Sequence, residues 1–194
     1  KCLVPFGQTD WGQWLSEQAP FDEPPRPAPA SMIYTSGTTG HPKGVRREPP
    51  TAINLERMAQ VSANNLDLRP NVPFKTVMTG PVYHSAPNMY ALYAARFGGV
   101  VILQPRFDAE GLLRLIEEHQ ISHLYLVPIM FVRLLALPED VRTRYDVSSL
   151  QFVVHAAAPC PVEVKQKMIE WWGPVINEYY GATETGGVIF HSSE

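Results

Sequence analysis

From residue 31 onward, hydrophobic positions fall into short and long runs that alternate along the chain. Short runs rich in Val, Ile and Tyr predict buried strands, as in "SMIYT" (31–35), "GVVILQP" (99–105) and "LQFVVHAA" (150–157). Longer runs with apolar residues three and four apart predict helices, as in 51–66 and 108–120. Strands that alternate with helices predict an α/β fold, in which helices cover both faces of a mostly parallel sheet.

The same patterns extend the prediction to residue 181. Further strands are predicted at 75–82, 121–128 and 174–181, and further helices at 86–98, 129–137 and 161–173. In the helix 108–120, Asp108 is a plausible N-cap. A shared stripe is predicted for Leu112, Leu115, Ile116 and His119, and another for Val164, Met168, Ile169 and Trp172 in the helix 161–173.

The first thirty residues differ from the rest, because five prolines lie between Pro20 and Pro29. Proline fixes φ and removes a backbone donor, so this segment is predicted to be an irregular crossing rather than a helix or strand. We therefore expect 1–30 to be an irregular Pro-rich part of the same domain, and 31–194 to be its α/β portion.

Composition narrows the class of protein. A formal net charge of −3 with 18% charged residues gives no indication of a nucleic-acid partner. Two cysteines do not form a disulfide framework, so a reducing, cytoplasmic location is expected. No apolar run reaches the ~18 residues of a membrane span. A chain that opens on Lys1 within an apolar run is expected to be a piece of a longer protein.

Ligands of open α/β sheets bind at the carboxyl ends of the strands, and the first such segment here is "IYTSGTTGHPKGV" (33–45). Spaced glycines let successive amides point into one concavity, and hydroxyls with a lysine complete a site suited to phosphates. The spacing matches neither GxxxxGK[ST] nor GxGxxG. A flexible surface loop of the same composition remains the alternative at this stage.

The last such segment, "EYYGATETGG" (178–187), carries an aromatic ring, a glycine, a hydroxyl and a carboxylate. Tyr180 could stack on a base, Gly181 would permit close backbone approach, and Thr183 could donate to a phosphate oxygen. Glu184 is a hard oxygen ligand suited to Mg2+. The alternative is a helix start, with Thr183 as its N-cap and Glu184 favouring its dipole.

Together, "YTSGTTGHPKGV" and "YYGATETGG" resemble the phosphate loop and the adenine and Mg2+ motif of the AMP-forming acyl-CoA synthetases. That superfamily also contains luciferases and peptide-synthetase adenylation domains. The resemblance covers most of the chain from Ser31 and implies part of the large N-terminal domain of an adenylate-forming enzyme. "PCPVEVKQKMIEWWGPVINEYYGATE" is similar, less specifically, to the fatty-acid–CoA ligase branch.

The resemblance implies a role for each motif residue. The ATP β- and γ-phosphates would be held, with help from Lys43, by Thr35, Ser36, Gly37, Thr38, Thr39 and Gly40. Tyr180 would lie on the adenine beside Gly181, Thr183 would touch the α-phosphate, and Glu184 would ligate Mg2+. The segment "HAAAP" (155–159), which includes Ala157, Ala158 and Pro159, resembles the family segment that lines the adenine and the inner acyl pocket. The family often has glycine where this chain has Ala156, whose methyl is expected to narrow the acyl path.

"PVYHSAP" (81–87) resembles the family loop beside the reacting carboxylate. His84 could donate a hydrogen bond there, and the alternative is a histidine satisfied by a backbone carbonyl. His119 and His123 lie four residues apart across a predicted helix–strand break, so a structural role is favoured over a metal pair. No acidic residue lies between Pro81 and Leu92, which favours an aliphatic or aromatic acid without an α-ammonium group.

The implied reaction joins a carboxylic acid to MgATP, giving acyl-AMP and pyrophosphate, and then transfers the acyl group to CoA. A ribose-binding aspartate and a C-terminal lid domain with a catalytic lysine are expected beyond this chain, so the piece alone is expected to be inactive. A homodimer is compatible with the sequence. The alternatives are an acyl-AMP ligase that loads a carrier protein, a catalytically silent nucleotide-binding relative, and a light-emitting activity that no residue favours.

Overall fold

The computed structural model describes residues 16–19, 22, 24, 32–35, 40–46, 51–68 and 74–193. The strands are β1 (Ile33–Thr35), β2 (Lys43–Val45), β3 (Lys75–Met78), β4 (Val100–Leu103), β5 (His123–Leu126), β6 (Phe152–His155), β7 (Ile176–Ala182) and β8 (Gly186–His191). The helices are α1 (Ala52–Asn65), α2 (Ser85–Arg96), α3 (Ala109–His119), α4 (Pro128–Leu135), α5 (Glu139–Arg142) and α6 (Val162–Trp172).

Six of these strands form one sheet, in the order β4-β3-β5-β6-β7-β8. The strands from β4 to β7 are parallel to one another, and only β8 runs antiparallel to its neighbour. The predicted mostly parallel sheet is therefore confirmed. Parallel neighbours place their carboxyl ends at a common edge, where the intervening loops meet.

Helices cover both faces of this sheet, as predicted. Because side chains alternate along a strand, Leu124 and Tyr125 enter different hydrophobic clusters. On one face the strands pack against α3, α4 and α6 through Leu112, Leu113, Ile116, Phe131, Leu134, Met168 and Trp172. On the other face, Tyr90 and Ala94 of α2 pack against Tyr125. Burial of this kind contributes roughly 25 cal/mol per Å² of apolar surface.

The strand β1 differs from its prediction. It pairs with β2 in a separate antiparallel hairpin, in which Thr35 lies opposite Lys43, and it does not enter the large sheet. Tyr34 is 65% exposed and Met32 is 54% exposed, so the prediction of a buried strand is wrong. A run of only three apolar residues does not reveal whether a strand pairs locally or within a central sheet. The strands β2 and β8 were not predicted.

The helix α3 begins as predicted, because the Asp108 carboxylate accepts a hydrogen bond from the Gly111 amide at 3.0 Å. Leu112 and Ile116 are fully buried, but His119 is exposed and does not belong to the predicted stripe. The helix ends at that residue, and Gln120 follows in the left-handed region with φ 52°. In α6 the predicted face is confirmed. Among the described residues, no helix combines the length and apolar character needed to cross a bilayer.

Candidate active site

A cleft of about 720 Å³ lies at the carboxyl edge of the large sheet. It is lined by the segments that follow β3, β5 and β6, by the end of β7 and by the β1–β2 hairpin. Of the residues predicted for the site, the cleft lining contains His84, Ala157, Gly181 and Thr183. This is the position that the topology of an open α/β sheet favours for a ligand.

One wall of the cleft is the start of α2. His84 precedes the helix with extended backbone angles, φ −83° and ψ 146°, and its side chain forms no capping hydrogen bond. The His84 ring packs against Tyr83 at a centroid distance of 4.6 Å and is exposed. A helix N-terminus has amides without intrahelical partners, so this wall is electrostatically suited to an anion.

The opposite wall is the hairpin between β7 and β8. The Ala182 amide donates to Thr185 Oγ1 at 3.2 Å, and Gly186 adopts φ +72° to close the turn. Because the chain turns directly into β8, the alternative of a helix capped by Thr183 is wrong. A side chain at Gly181 would collide with the Gly186 carbonyl oxygen, so this glycine is needed for the approach of β8. Glu184 is exposed at the turn.

A hydrogen bond joins these two walls. Ser85 Oγ and Thr183 Oγ1 are 3.3 Å apart, although 98 positions separate them in sequence. Ser85 also lines the cleft and was not predicted as a site residue. A single serine after a histidine carries no signal of its own, and the contact exists only because the fold brings the two loops together.

The β1–β2 hairpin lies at the rim of the cleft, which Ile33 and Val45 line. Thr35 lies opposite Lys43 in this hairpin, and Gly40 has φ +84°. Lys43 and Gly40 are exposed. The other predicted phosphate-loop residues, Ser36, Gly37, Thr38 and Thr39, lie outside the described residues. The described ends of this hairpin thus lie at the rim of the same cleft as the Thr183 turn.

The predicted adenine-binding segments are neighbours at the same edge. In the parallel pairing of β6 and β7, His155 lies opposite Glu178. Ala157 lies two residues after His155, and Tyr180 lies two residues after Glu178, so both follow the paired positions at the same edge. Tyr180 is 72% exposed and does not line the cleft. Ala158 and Pro159 are also exposed outside the cleft lining. The roles predicted for them stay predictions.

The expectation for Ala156 is wrong. Its side chain is 3% exposed and packs in the cluster beneath α2, so its methyl does not narrow the cleft. Ala157 lines the cleft instead, with φ +75°. This backbone conformation is disfavoured for any residue with a Cβ, at a cost of roughly 1–2 kcal/mol.

Two tyrosines contribute to the floor of the cleft, with ring centroids 6.4 Å apart. Burial raises the pKa of Tyr125 far above its usual value, and the neighbouring Tyr179 raises it further. Burial also raises the pKa of Tyr179, although a hydrogen bond with Tyr125 opposes the shift. Both rings are therefore neutral over the physiological range, and they offer the cleft an aromatic, uncharged surface.

Next to the segment 157–159, His155 is fully buried at the end of β6. Within the described part of the chain, neither of its ring nitrogens has a hydrogen-bond partner, and Nε2 is 3.8 Å from the Glu178 carboxylate. Glu178 accepts a hydrogen bond from Lys165 Nζ at 2.9 Å. Burial lowers the pKa of His155 to about 4; Glu178 opposes this shift and Lys165 adds to it.

The two histidines four residues apart do not share a face. His119 is exposed at the end of α3, whereas His123 is 1% exposed at the start of β5. His123 Nδ1 lies 2.8 Å from Ser122 Oγ, and Nε2 lies 3.3 Å from the Asp67 carbonyl oxygen. This network belongs to the amino edge of the sheet, on the opposite side from the cleft.

A mostly parallel sheet with a cleft at its carboxyl edge places the chain among the open-sheet α/β domains. A family model described as AMP-binding enzyme matches residues 4–194, and the chain belongs to this family. The match covers nearly the whole chain, including both segments whose resemblance the motifs indicated.

Curated relatives are CoA ligases. The chain is 35% identical over 159 residues to a medium/long-chain-fatty-acid–CoA ligase of Mycobacterium tuberculosis, covering 81% of this chain and 26% of that protein. It is 32% identical over 161 residues to 4-coumarate–CoA ligase-like 2 of Arabidopsis thaliana, covering 82% and 27%. The chain thus spans about a quarter of the length of these relatives.

A similar solved structure is the O-succinylbenzoate coenzyme A synthetase of Bacillus subtilis in complex with AMP. The TM-score is 0.67 at 27% sequence identity, covering 86% of this chain and 32% of that one. The shared architecture confirms the sheet as part of the domain found in adenylate-forming enzymes.

Proposed function

We propose that the protein containing this chain is an AMP-forming acyl-CoA synthetase. It would convert a carboxylic acid and MgATP to acyl-AMP and pyrophosphate, and then transfer the acyl group to CoA. The observation that supports this most strongly is the cleft in which His84 and Ser85 face the Thr183 turn, in a chain of the AMP-binding enzyme family. ATP and CoA as co-substrates favour a cytoplasmic reaction.

In the first half-reaction, an oxygen of the acid carboxylate forms a bond to the α-phosphorus, and the bond from that phosphorus to pyrophosphate breaks. Positioning and charge neutralisation supply most of the catalysis in such transfers. His84, at the start of α2, would donate a hydrogen bond to the carboxylate or to the developing charge. Thr183 would contact the α-phosphate from the opposite wall, and Lys43 would assist at the phosphate rim.

In the second half-reaction, the CoA thiol loses its proton and its sulfur attacks the acyl carbonyl carbon. The bond from that carbon to the AMP oxygen breaks, so AMP leaves with one oxygen of the original acid. The nucleotide segments, Ala157 to Pro159 and Tyr180, would hold AMP at the carboxyl edge throughout both steps.

Mg2+ fits the turn at Glu184. This carboxylate is exposed beside Thr183, and no group of three or more His, Cys, Asp or Glu side chains able to hold a metal occurs in the described ranges. Mg2+ is usually bound through one or two protein carboxylates together with substrate phosphates, so a single carboxylate at the phosphate end is an appropriate donor. When bound, the ion would neutralise phosphate charge.

We infer an aliphatic or aromatic acid without an α-ammonium group, and a fatty acid is the first candidate. The cleft wall includes Met89, Leu92, Tyr93 and Met130, and no Asp or Glu occurs in the lining that the structure describes. A substrate ammonium group buried there would lack a counter-ion, which is costly. A medium or long aliphatic chain, as named for the mycobacterial relative, matches this apolar surface.

The test is acid-dependent pyrophosphate release by the full-length protein, across short, long and aromatic acids, with and without CoA. Release accompanied by a thioester is the expected result. Pyrophosphate release without a thioester product at any CoA concentration would indicate that the acyl acceptor is a carrier protein and not CoA. If no acid elicits release while MgATP still binds, the protein is a silent nucleotide-binding relative and the proposal is wrong.

A further inference from the structure

We propose that Ser85 is a positioning residue that fixes the Thr183 hydroxyl in the cleft and thereby links the acid-binding wall to the nucleotide-binding wall. The inference rests on the proposed function, because it assigns Thr183 to the nucleotide. It adds a residue that neither the motifs nor the family match indicates.

Ser85 is held by a rigid start of α2. It is the first residue of the helix, and the His84 amide before it donates to the Pro81 carbonyl oxygen at 3.1 Å. Pro87 packs tightly on the preceding segment, since a Cβ on Gly80 would lie 3.1 Å from Pro87 Cγ. The exit of β3 is also fixed, because Thr79 Oγ1 donates to the Tyr125 carbonyl oxygen at 3.1 Å.

Thr183 is held by an equally defined turn. Ala182 pairs with Gly186 across the β7–β8 hairpin, and Thr185 Oγ1 accepts the Ala182 amide at 3.2 Å. The backbone of this turn does not by itself determine the χ1 rotamer of Thr183. The hydroxyl would face the cleft in some rotamers and the methyl in others.

The hydrogen bond to Ser85 favours the rotamer in which the Thr183 hydroxyl points towards α2. With Ser85 Oγ 3.3 Å away, Thr183 Oγ1 faces the α2 wall, and Thr183 is one of the residues that line the cleft. The Thr183 methyl is thereby directed elsewhere, because both groups share one tetrahedral Cβ. A preformed donor position costs no rotamer entropy when the nucleotide binds, so loss of Ser85 should weaken nucleotide binding.

The closing experiment measures AMP affinity by titration calorimetry on four full-length proteins: the wild type, Ser85→Ala, Thr183→Val and the double variant. A neutral hydrogen bond contributes modestly, so we expect Ser85→Ala to bind AMP about two- to tenfold more weakly. The double variant should be no weaker than Thr183→Val alone, because Ser85 acts only through Thr183.

Two further variants separate positioning from general stability. Ser85→Thr keeps the hydroxyl and should restore wild-type affinity. Ser149→Ala removes a serine hydroxyl that donates to the Ile121 carbonyl oxygen at 2.8 Å, remote from the cleft, and should leave AMP affinity unchanged. Melting temperatures of all variants identify any that fail to fold; if Thr183→Val or the double variant fails, the comparison of Ser85→Thr with Ser85→Ala still decides the question.

The positioning role of Ser85 would be overturned if Ser85→Ala bound AMP as tightly as wild type. It would also be overturned if the fold-losses of the two single variants multiplied in the double variant. Neither result would bear on the proposed function. A wild type that binds AMP and shows acid-dependent pyrophosphate release would retain the proposed function in that event. A wild type that binds no AMP would overturn both.

Discussion

Two buried histidines mark the difference between the two edges of the large sheet. At the amino edge, His123 has partners for both ring nitrogens, in Ser122 and in the Asp67 backbone, and it stacks on Phe74 at a centroid distance of 4.5 Å. At the carboxyl edge, His155 is buried without a hydrogen bond to either ring nitrogen among the described residues, and it packs edge-on against Phe131 at 5.3 Å.

The neighbourhoods of the two histidines differ in the same way. Around His123 the loops are closed by hydrogen bonds, and Lys75 contributes both its amide and its carbonyl oxygen to Ser122. Around His155 the chain leaves the sheet into exposed small residues and a cleft. These differences indicate that the amino edge contributes mainly to stability, whereas the carboxyl edge carries the proposed chemistry. At the carboxyl edge, the buried nitrogens of His155 lack hydrogen-bond partners among the described residues, which lowers stability there.

The largest expected effect is at the carboxyl edge. Glu184→Gln keeps the shape of the side chain but removes its charge, so it should slow adenylation by about 10²–10³-fold, the loss typical of one electrostatic group at a reacting centre. The melting temperature should stay within about 2 °C of wild type, since this side chain is exposed. The measurement is single-turnover formation of acyl-AMP over a range of Mg2+ concentrations.

Glu118→Gln is the matched control for that substitution, an exposed glutamate on α3 outside the cleft lining. It should match wild type in both rate and Mg2+ dependence. An unchanged Mg2+ dependence in Glu184→Gln would remove the metal assignment.

His155 provides a pH dependence. Its pKa is about 4 in the folded protein, mainly because burial disfavours the charged ring, against 6.5 in the unfolded chain. Between pH 4 and pH 6.5 the His155 ring is protonated in the unfolded chain but neutral in the folded protein. The contribution of neutral His155 to the free energy of unfolding is therefore fully present above pH 6.5 and is lost as the pH falls towards 4. The total is about 3 kcal/mol. Chemical denaturation from pH 7.5 to 4 measures it.

His155→Leu should flatten stability over that range. Glu178 faces His155 from β7; burial opposes ionisation of this carboxyl, but the Lys165 hydrogen bond and the His155 charge keep its pKa below the usual value. A slope between pH 6.5 and 4 that is identical in His155→Leu and wild type would contradict the assignment to this ring.

At the amino edge we expect a substitution to lower stability and leave turnover unchanged, the reverse of the effect expected at Glu184. His123→Ala removes a ring that packs against Phe74 and Phe152 and leaves its polar partners incomplete, so unfolding should become easier by about 2–3 kcal/mol. The turnover of the folded fraction should be unchanged. Denaturant titration combined with active-site titration checks both.

His119→Ala is the control, since this side chain is exposed four residues earlier in the sequence. It should change stability by no more than about 0.5 kcal/mol. A loss of turnover in folded His123→Ala would mean that the two edges are coupled. It would contradict the assignment of stability to the amino edge and of chemistry to the carboxyl edge.

The smallest effects concern two residues with positive φ, one near each edge. Ala157 (φ 75°) lines the cleft, and Gln120 (φ 52°) follows α3 at the amino edge. Glycine relieves the backbone strain but increases the entropy of the unfolded chain, so each substitution should change stability by less than about 1 kcal/mol. Ala157→Gly should also change the KM for the acid, whereas Gln120→Gly should not. Equal KM effects would contradict the comparison.

Much of the fold was predictable because its long helices and central strands have strong periodicity. The stripes of α6 and the Asp108 cap follow from local physics that a single segment contains. The pairing of β1 and the burial of Ala156 depend on residues far away in sequence. Neither an exposed hairpin nor a methyl packed beneath α2 leaves a local signal.

The candidate site shows the same limit. His84 and Thr183 were predictable from motifs, because the motif residues follow strand ends that the topology brings to one edge. Ser85 was not predictable, because its hydrogen-bond partner Thr183 lies 98 positions away in sequence. Gly181 was predicted to allow close backbone approach, but its immediate neighbour is the Gly186 carbonyl oxygen of β8, a strand that was not predicted.

Formation of an acyl adenylate can be tested by following oxygen from the acid into the nucleotide. The full-length protein is incubated with ATP, CoA and an acid labelled with 18O in both carboxylate positions, and the nucleotide product is analysed by mass spectrometry. Attack of the carboxylate on the α-phosphorus predicts AMP that carries one 18O atom. Unlabelled AMP, or ADP with the label in inorganic phosphate, would show that the carboxyl-edge cleft does not form an acyl adenylate.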